Sequence, residues 1–287
     1  MKFEQYGEKI ENLTIKIHPQ EFIEHNLLKD LENLIGFIQK TKPKILKKFL
    51  KIFSQKIKNH VKNNAIDNKS KFSEMIKPFE NLTKYKEIII LGLRFFLEKL
   101  SITEKEFWQN EITNFASEKF HNSANGFYFY QLTTFIELLG KEEAIGFYQD
   151  LLRNFILTYD LNQKDIYNSL DEMRERHIRF IKKNIFGRVR LFSGVENGKL
   201  IMICKNCEKV EHLEEEIRKE PDLLYYLTCW CHIPLAELWN NNFELTIEDC
   251  IAKGDPFCTY VYHDKRMINN LKQATKSKPN KIIEESS

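Results

Sequence analysis

The chain has 287 residues, 42% of them hydrophobic and 30% charged, with a formal net charge of +3 at pH 7. That length suits one large domain or two smaller ones with a real core, and the composition is that of a globular protein. The longest apolar stretch, Ile88 to Phe96, is interrupted by Arg94 and falls short of a bilayer span. The opening MKFEQYGEKIENLT lacks the apolar centre of a secretion signal, so a cytoplasmic location is expected. In a reducing compartment the six cysteines point to metal binding or catalysis and not to disulfides.

Seven prolines and ten glycines leave the first 185 or so residues free to read as successive helices. Phe22, Ile23, Leu27, Leu28, Leu31, Leu34, Ile35 and Ile38 recur at helical spacing over 21–39. Pro43 opens a second helix reaching about Lys62, and 63–71 is loop-like. The stretch 85–100 is apolar nearly all round, which predicts a buried helix. Ser101 with Glu104 predicts a capping box for the next helix. An aromatic-rich helix over 126–139 ends at Gly140, a further one covers 141–157, and Asn162 is the expected cap of a charged helix to about 184.

After Gly187 the texture changes. RVRLFSG and KLIMIC flank the turn residues Glu196, Asn197 and Gly198 and predict two strands. An acidic helix is expected over 208–219 and another from Asp222 to Thr228. NFELTIEDC and FCTYVYH, joined through GDP, predict a strand pair. From Lys265 the chain turns polar and is expected to be disordered. The expected architecture is α+β: a helical region over 1–125, a cysteine-rich module with a small antiparallel sheet and helices over 126–265, and a tail over 266–287.

All six cysteines lie between Cys204 and Cys258, as Cys204-x-x-Cys207, Cys229-x-Cys231-His232 and Cys250-x7-Cys258. Thiolate is a strong zinc ligand, and a tetrahedral site needs four donors. Cys250 and Cys258 close two predicted strands, where opposed side chains approach to about 5 Å. Cys204 leaves the preceding strand, and Cys229, Cys231 or His232 would complete the shell from a helix N-terminus. Cys204, Cys229, Cys250 and Cys258 are therefore the expected ligands, with Cys207 and Cys231 in reserve. An iron–sulfur cluster is the alternative cofactor. The competing reading of any one thiol is a small buried apolar residue.

The run from Leu138 to Asp264 resembles the L-2-amino-thiazoline-4-carboxylic acid hydrolase family and, more distantly, the 4-vinyl reductase domains. The resemblance is carried by LLGKEEAIGFYQDLL, by Cys204 after a strand, by Cys229 before a helix and by GDPFCTYVYHD. His232 stands where the hydrolases commonly have an aspartate, and Ile247 where the zinc-binding relatives place a glutamate. The resemblance implies hydrolysis of a non-peptide C–N bond in a small thiazoline or amidine substrate, assisted by a metal. His232 and Asp255, beside the expected ligands, would then move protons. The alternative is a zinc-stabilised domain that binds or senses a small molecule without catalysis. The corresponding bland readings are a capping or core histidine and a turn aspartate.

KPKILKKFLKIFSQKIKNHVK, residues 42–62, sets Ile45, Leu46, Phe49, Ile52, Phe53 and Ile57 against lysines. Such a helix either packs with a solvated lysine face or meets an anionic surface or acidic partner. The packed form is expected and a membrane surface is not. With no finger, helix-turn-helix or RNA-binding signature, no nucleic-acid partner is expected either. The expected partners are a small-molecule substrate or ligand and, as an option, a second copy in a homodimer.

Overall fold

A computed structural model describes residues 3–7, 14–62, 66–159, 166–182, 191–211 and 213–270. In chain order it begins with strands β1 (Glu4–Tyr6) and β2 (Thr14–Ile17) and helix α1 (Pro19–Ile23), which runs through a π-helical turn, Glu24–Lys29, into α2 (Asp30–Thr41). Next come α3 (Leu46–Lys58), α4 (Lys69–Ile76), α5 (Lys86–Leu100), α6 (Glu104–Gln109), β3 (Thr113–Ala116), α7 (Ser117–Leu139), α8 (Lys141–Tyr159) and α9 (Leu170–Lys182). The rest comprises β4 (Leu191–Glu196), β5 (Lys199–Cys204), α10 (Glu208–Glu211), α11 (Glu215–Arg218), α12 (Pro221–Thr228), α13 (His232–Trp239), β6 (Phe243–Ile247) and β7 (Cys258–Asp264). The α+β class expected from the sequence is the observed one. No helix among the described residues is long and apolar enough to cross a membrane.

The chain divides into two compact units, Thr14–Phe155 with His212–Ile217, and the remainder. The boundary expected at 125/126 thus falls inside α7, a continuous helix of 23 residues. The division between the two units lies inside α8, between Phe155 and Ile156.

In the helical unit, α3 turns Leu46, Phe49, Phe53 and Ile57 inward. Phe49 stacks on Phe135 of α7 at 4.5 Å between ring centroids, and Phe53 meets Phe127 edge-on at 5.2 Å. Phe127, Phe129, Tyr130 and Phe135 are buried; the aromatic run of α7 is core. The region is not wholly helical, because β2 and β3 pair antiparallel from Thr14↔Ala116 to Ile17↔Thr113. The expected capping box is displaced by two residues. Ser101 takes a left-handed conformation closing α5, and Thr103, in extended backbone, forms the reciprocal box with Glu106. Glu104 turns inward and accepts hydrogen bonds from Arg94, Trp108 and the Asp67 and Asn68 amides. The expected acidic helix is two short turns, α10 and α11, because the Glu214 amide is taken by Asn122 at 3.1 Å and Leu213 is buried between them.

In the second unit the sheet has the order β1-β4-β5-β7-β6, all neighbours antiparallel. Asn197 and Gly198, both at positive φ, make the two-residue turn between β4 and β5. One face of the sheet packs Leu191, Leu200, Met202, Phe243, Leu245 and Tyr262 with Leu170 and Met173 of α9 and Ala236 of α13. The other carries Phe192, Ile201, Ile203 and Val261. The described helix α9 begins at Leu170, with Ser169 Oγ accepting the Glu172 amide at 3.2 Å; Asn162 lies outside the described residues. Of the expected tail, Lys265–Asn270 forms a 3-10 segment in which Arg266 binds Asp264 at 2.6 Å. The remainder of the tail lies outside the described residues.

Candidate metal centre

Strand alternation decides which thiols meet. Cys204 ends β5 and Cys258 opens β7, and they are direct partners across the antiparallel ladder. They therefore share a face, the one bearing Tyr260, Tyr262 and α13. Cys250 is not opposed to Cys258 across a strand pair, as the hairpin expectation required. Strand β6 stops at Ile247, which pairs with Tyr260, and Cys250 lies in the loop beyond. That loop folds back because Asp255 accepts the Cys250 amide at 2.7 Å, while the Lys253 amide donates to the Cys250 carbonyl at 2.8 Å. Gly254, at φ +97°, closes the turn in a conformation that glycine adopts at no steric cost.

The fold-back brings the Ile251 amide within 3.2 Å of Cys258 Sγ and Cys250 Sγ within 3.4 Å of Cys229 Sγ. Cys229 arrives from α12, whose C-terminus it caps. The expected helix N-terminus lies just beyond, where Cys231 caps α13 and His232 opens it. Its neighbour Thr228 places Oγ1 at 3.2 Å from the same sulfur. Cys229, Cys250 and Cys258, all buried, form the heart of the cluster.

The electrostatics divide the thiols by role. Cys250 is the most acidic of these thiols: its pKa is lowered first by its contacts with the Cys229 and Cys258 sulfurs and then by the Ala252 and Lys253 amides, against the effect of burial. Cys229 and Cys258 are correspondingly pushed up, first by hydrogen bonding to Cys250 and then by burial. Burial also raises Cys207, opposed by Lys209 and by amide bonds from Val210 and Lys209. Amides two and three residues on thus point at Cys207 as they do at Cys250. Burial pushes Cys204 up to about 12. Cys207 acts on Cys229, and Cys250 acts on Cys207, whereas among the thiols Cys204 is raised by Cys207. Cys231 sits apart, with its sulfur 3.8 Å from the Thr228 carbonyl.

His232 is brought to the cluster's edge, its ring 5.4 Å from that of Tyr260 and edge-on to it. Burial, then the charges of Lys209 and His177, lower its pKa to about 3 and keep it neutral. Asp255 is occupied as the cap of the Cys250 loop, the turn role weighed for it above. Sequence reasoning passed over the sulfur-directed amides of Lys209, Val210, Ala252 and Lys253. It also passed over Tyr225, whose ring lies under the Lys253 ammonium at 3.8 Å. Side-chain identity carries no signal for the amides, since every residue but proline has one.

Among the described residues no three His, Cys, Asp or Glu side chains stand ready-made around a metal position. One sulfur pair, Cys229 and Cys250, comes close to the spacing that a soft divalent ion imposes. A tetrahedral zinc–thiolate shell with bonds of about 2.3 Å spaces its sulfurs about 3.8 Å apart. The 3.4 Å contact would need to open by only a few tenths of an ångström. No family model, no curated protein and no solved structure matches this chain.

Proposed function

We propose that the sheet-bearing unit is a zinc-stabilised module for binding or sensing a small molecule, with Cys207, Cys229, Cys250 and Cys258 as its metal ligands. One observation carries this reading: sulfurs from three separate segments converge while backbone amides point at Cys207, Cys250 and Cys258. Amide donors favour thiolate, the form that binds metal. A bound ion would supply structural cross-linking, because four thiolates fill its shell and leave no open position for water. The hydrolase reading needs that open position and a free general acid or base. Asp255 is already engaged as a loop cap, and burial lowers the His232 pKa and makes it a weak base, so the closed shell is preferred.

Elemental analysis of protein purified under reducing conditions tests the reading. It predicts one zinc per chain, stoichiometric by ligand count, and no visible colour. Cys250→Ser and Cys207→Ser should each lose most of the zinc, while Cys231→Ser keeps it. Retention by Cys207→Ser with loss by Cys204→Ser would return the fourth position to Cys204. Iron with a brown absorbance would replace zinc by a cluster. Zinc together with chelator-sensitive turnover of a thiazoline substrate would restore the hydrolase.

A further inference from the structure

Six free thiols lie in the sheet-bearing unit, and their contacts are unequal. Cys258 is fixed on β7 opposite Cys204, and its sulfur accepts the Ile251 amide at 3.2 Å. Cys231 turns its sulfur to the Thr228 carbonyl at 3.8 Å. Cys229 and Cys250, 21 positions apart in the chain, bring their sulfurs to 3.4 Å of each other. Neither stands on a strand: Cys229 ends α12, and Cys250 begins the loop closed by Asp255 and Gly254. A disulfide needs its sulfurs about 2.05 Å apart. An approach of about 1.4 Å, shared between a helix end and a loop, therefore closes the gap. Lys253, over the Tyr225 ring at 3.8 Å, docks that loop on α12 through a contact that uses neither sulfur.

We propose that Cys229 and Cys250 are a redox pair: hydrogen peroxide converts them to a disulfide, and the module then gives up its metal ion. The release rests on the zinc reading above; the pairing does not. Cys250 takes the nucleophile's part, because it lies under a surface loop whose Lys253, Gly254 and Pro256 are exposed. Cys229 sits at a helix C-terminus, where negative charge is disfavoured, and resolves. The Cys250 thiolate attacks one peroxide oxygen, the O–O bond breaks and hydroxide leaves, giving a sulfenic acid. Cys229 then attacks that sulfur, the S–O bond breaks, and the departing hydroxide takes up the thiol proton as water. Two thiols lose two electrons, and one hydrogen peroxide becomes two waters. A disulfide sulfur carries no thiolate charge, so two of the four proposed donors are lost at once. A bond made and reduced in this way accords with a reducing compartment, where disulfides are transient.

The test treats the reduced full chain with hydrogen peroxide and follows free thiols, zinc release to a chromophoric chelator, and disulfide-linked peptides by mass spectrometry. The expected result is a fall from six free thiols to four, a Cys229–Cys250 linkage, stoichiometric release of zinc, and recovery of both thiols with dithiothreitol. Cys231→Ser, which removes a thiol outside the proposed shell, should give the same linkage and release. A first linkage through Cys204, Cys207 or Cys258 overturns the pairing, as does oxidation past sulfenic acid with no linkage. Zinc-loaded protein that keeps all its thiols while free cysteine in the same tube is oxidised also overturns the pairing, and leaves the zinc reading intact. The same linkage in protein that holds no zinc after purification upholds the pair and overturns the zinc reading.

Discussion

Asp30 illustrates what burial does to a single carboxyl group. It opens α2 within the helical core, is 7% exposed, and accepts a hydrogen bond from the Gln131 side-chain amide on α7. The charges nearest in sequence are engaged elsewhere: Lys29 pairs with Glu24, and Glu32 binds Asn81 and the Leu82 amide. Burial, partly offset by the Gln131 bond, raises the Asp30 pKa from the ordinary 3.8 to about 7. The folded state then keeps a proton that the unfolded chain releases. Stability is therefore fully present below the unfolded pKa and is lost as pH rises towards the folded value, at up to about 1.4 kcal/mol per unit. A protonated Asp30 would also serve Gln131 Oε1, which is buried without a partner, as an acid–amide pair. Asp30→Asn should remove this slope between about pH 4 and 7 and raise the melting temperature at pH 8. An unchanged slope in urea titrations across that range would mean the carboxyl ionises freely.

At the scale of elements, turn chemistry was the most legible part of the sequence. Asn197-Gly198 was read as a turn, and both residues stand at positive φ between β4 and β5. A Cβ at Gly198 would meet Met267 Cβ at 2.7 Å in addition to the left-handed strain. Gly198→Ala should therefore cost about 1–2 kcal/mol in chemical unfolding; a cost near zero would show that the turn relaxes. The capping boxes were legible only up to a choice. Ser101-x-x-Glu104 and Thr103-x-x-Glu106 overlap, and the local pattern favours neither. Burial decided, because Arg94 and Trp108 drew Glu104 inward and left the box to Thr103. The β2–β3 pair was missed because strands of four residues, separated by some hundred positions, carry little periodicity of their own.

At the scale of the molecule, the two compact units differ in their chemistry. Every cysteine belongs to the sheet-bearing unit. If a thiolate-bound ion contributes to folding, a zinc chelator should lower one calorimetric transition and leave the helical unit's transition in place. A single transition that shifts as a whole, or none that shifts, would contradict that division.

Composition and the clustering of cysteines determined the α+β class and the region of the candidate site, since apolar spacing and thiol chemistry are local properties of the chain. Tertiary structure decided which thiols meet and what they are. Cys258 faces Cys204 across a ladder set by strand register, Cys250 reaches Cys229 through a loop closed by Asp255, and Cys231 is left aside. It also decided the character of the lysine helix, since only packing against α5 and α7 could bury one of its faces and leave the other charged and free. Register, loop closure and burial depend on residues far apart in the chain, and no window of sequence holds both partners.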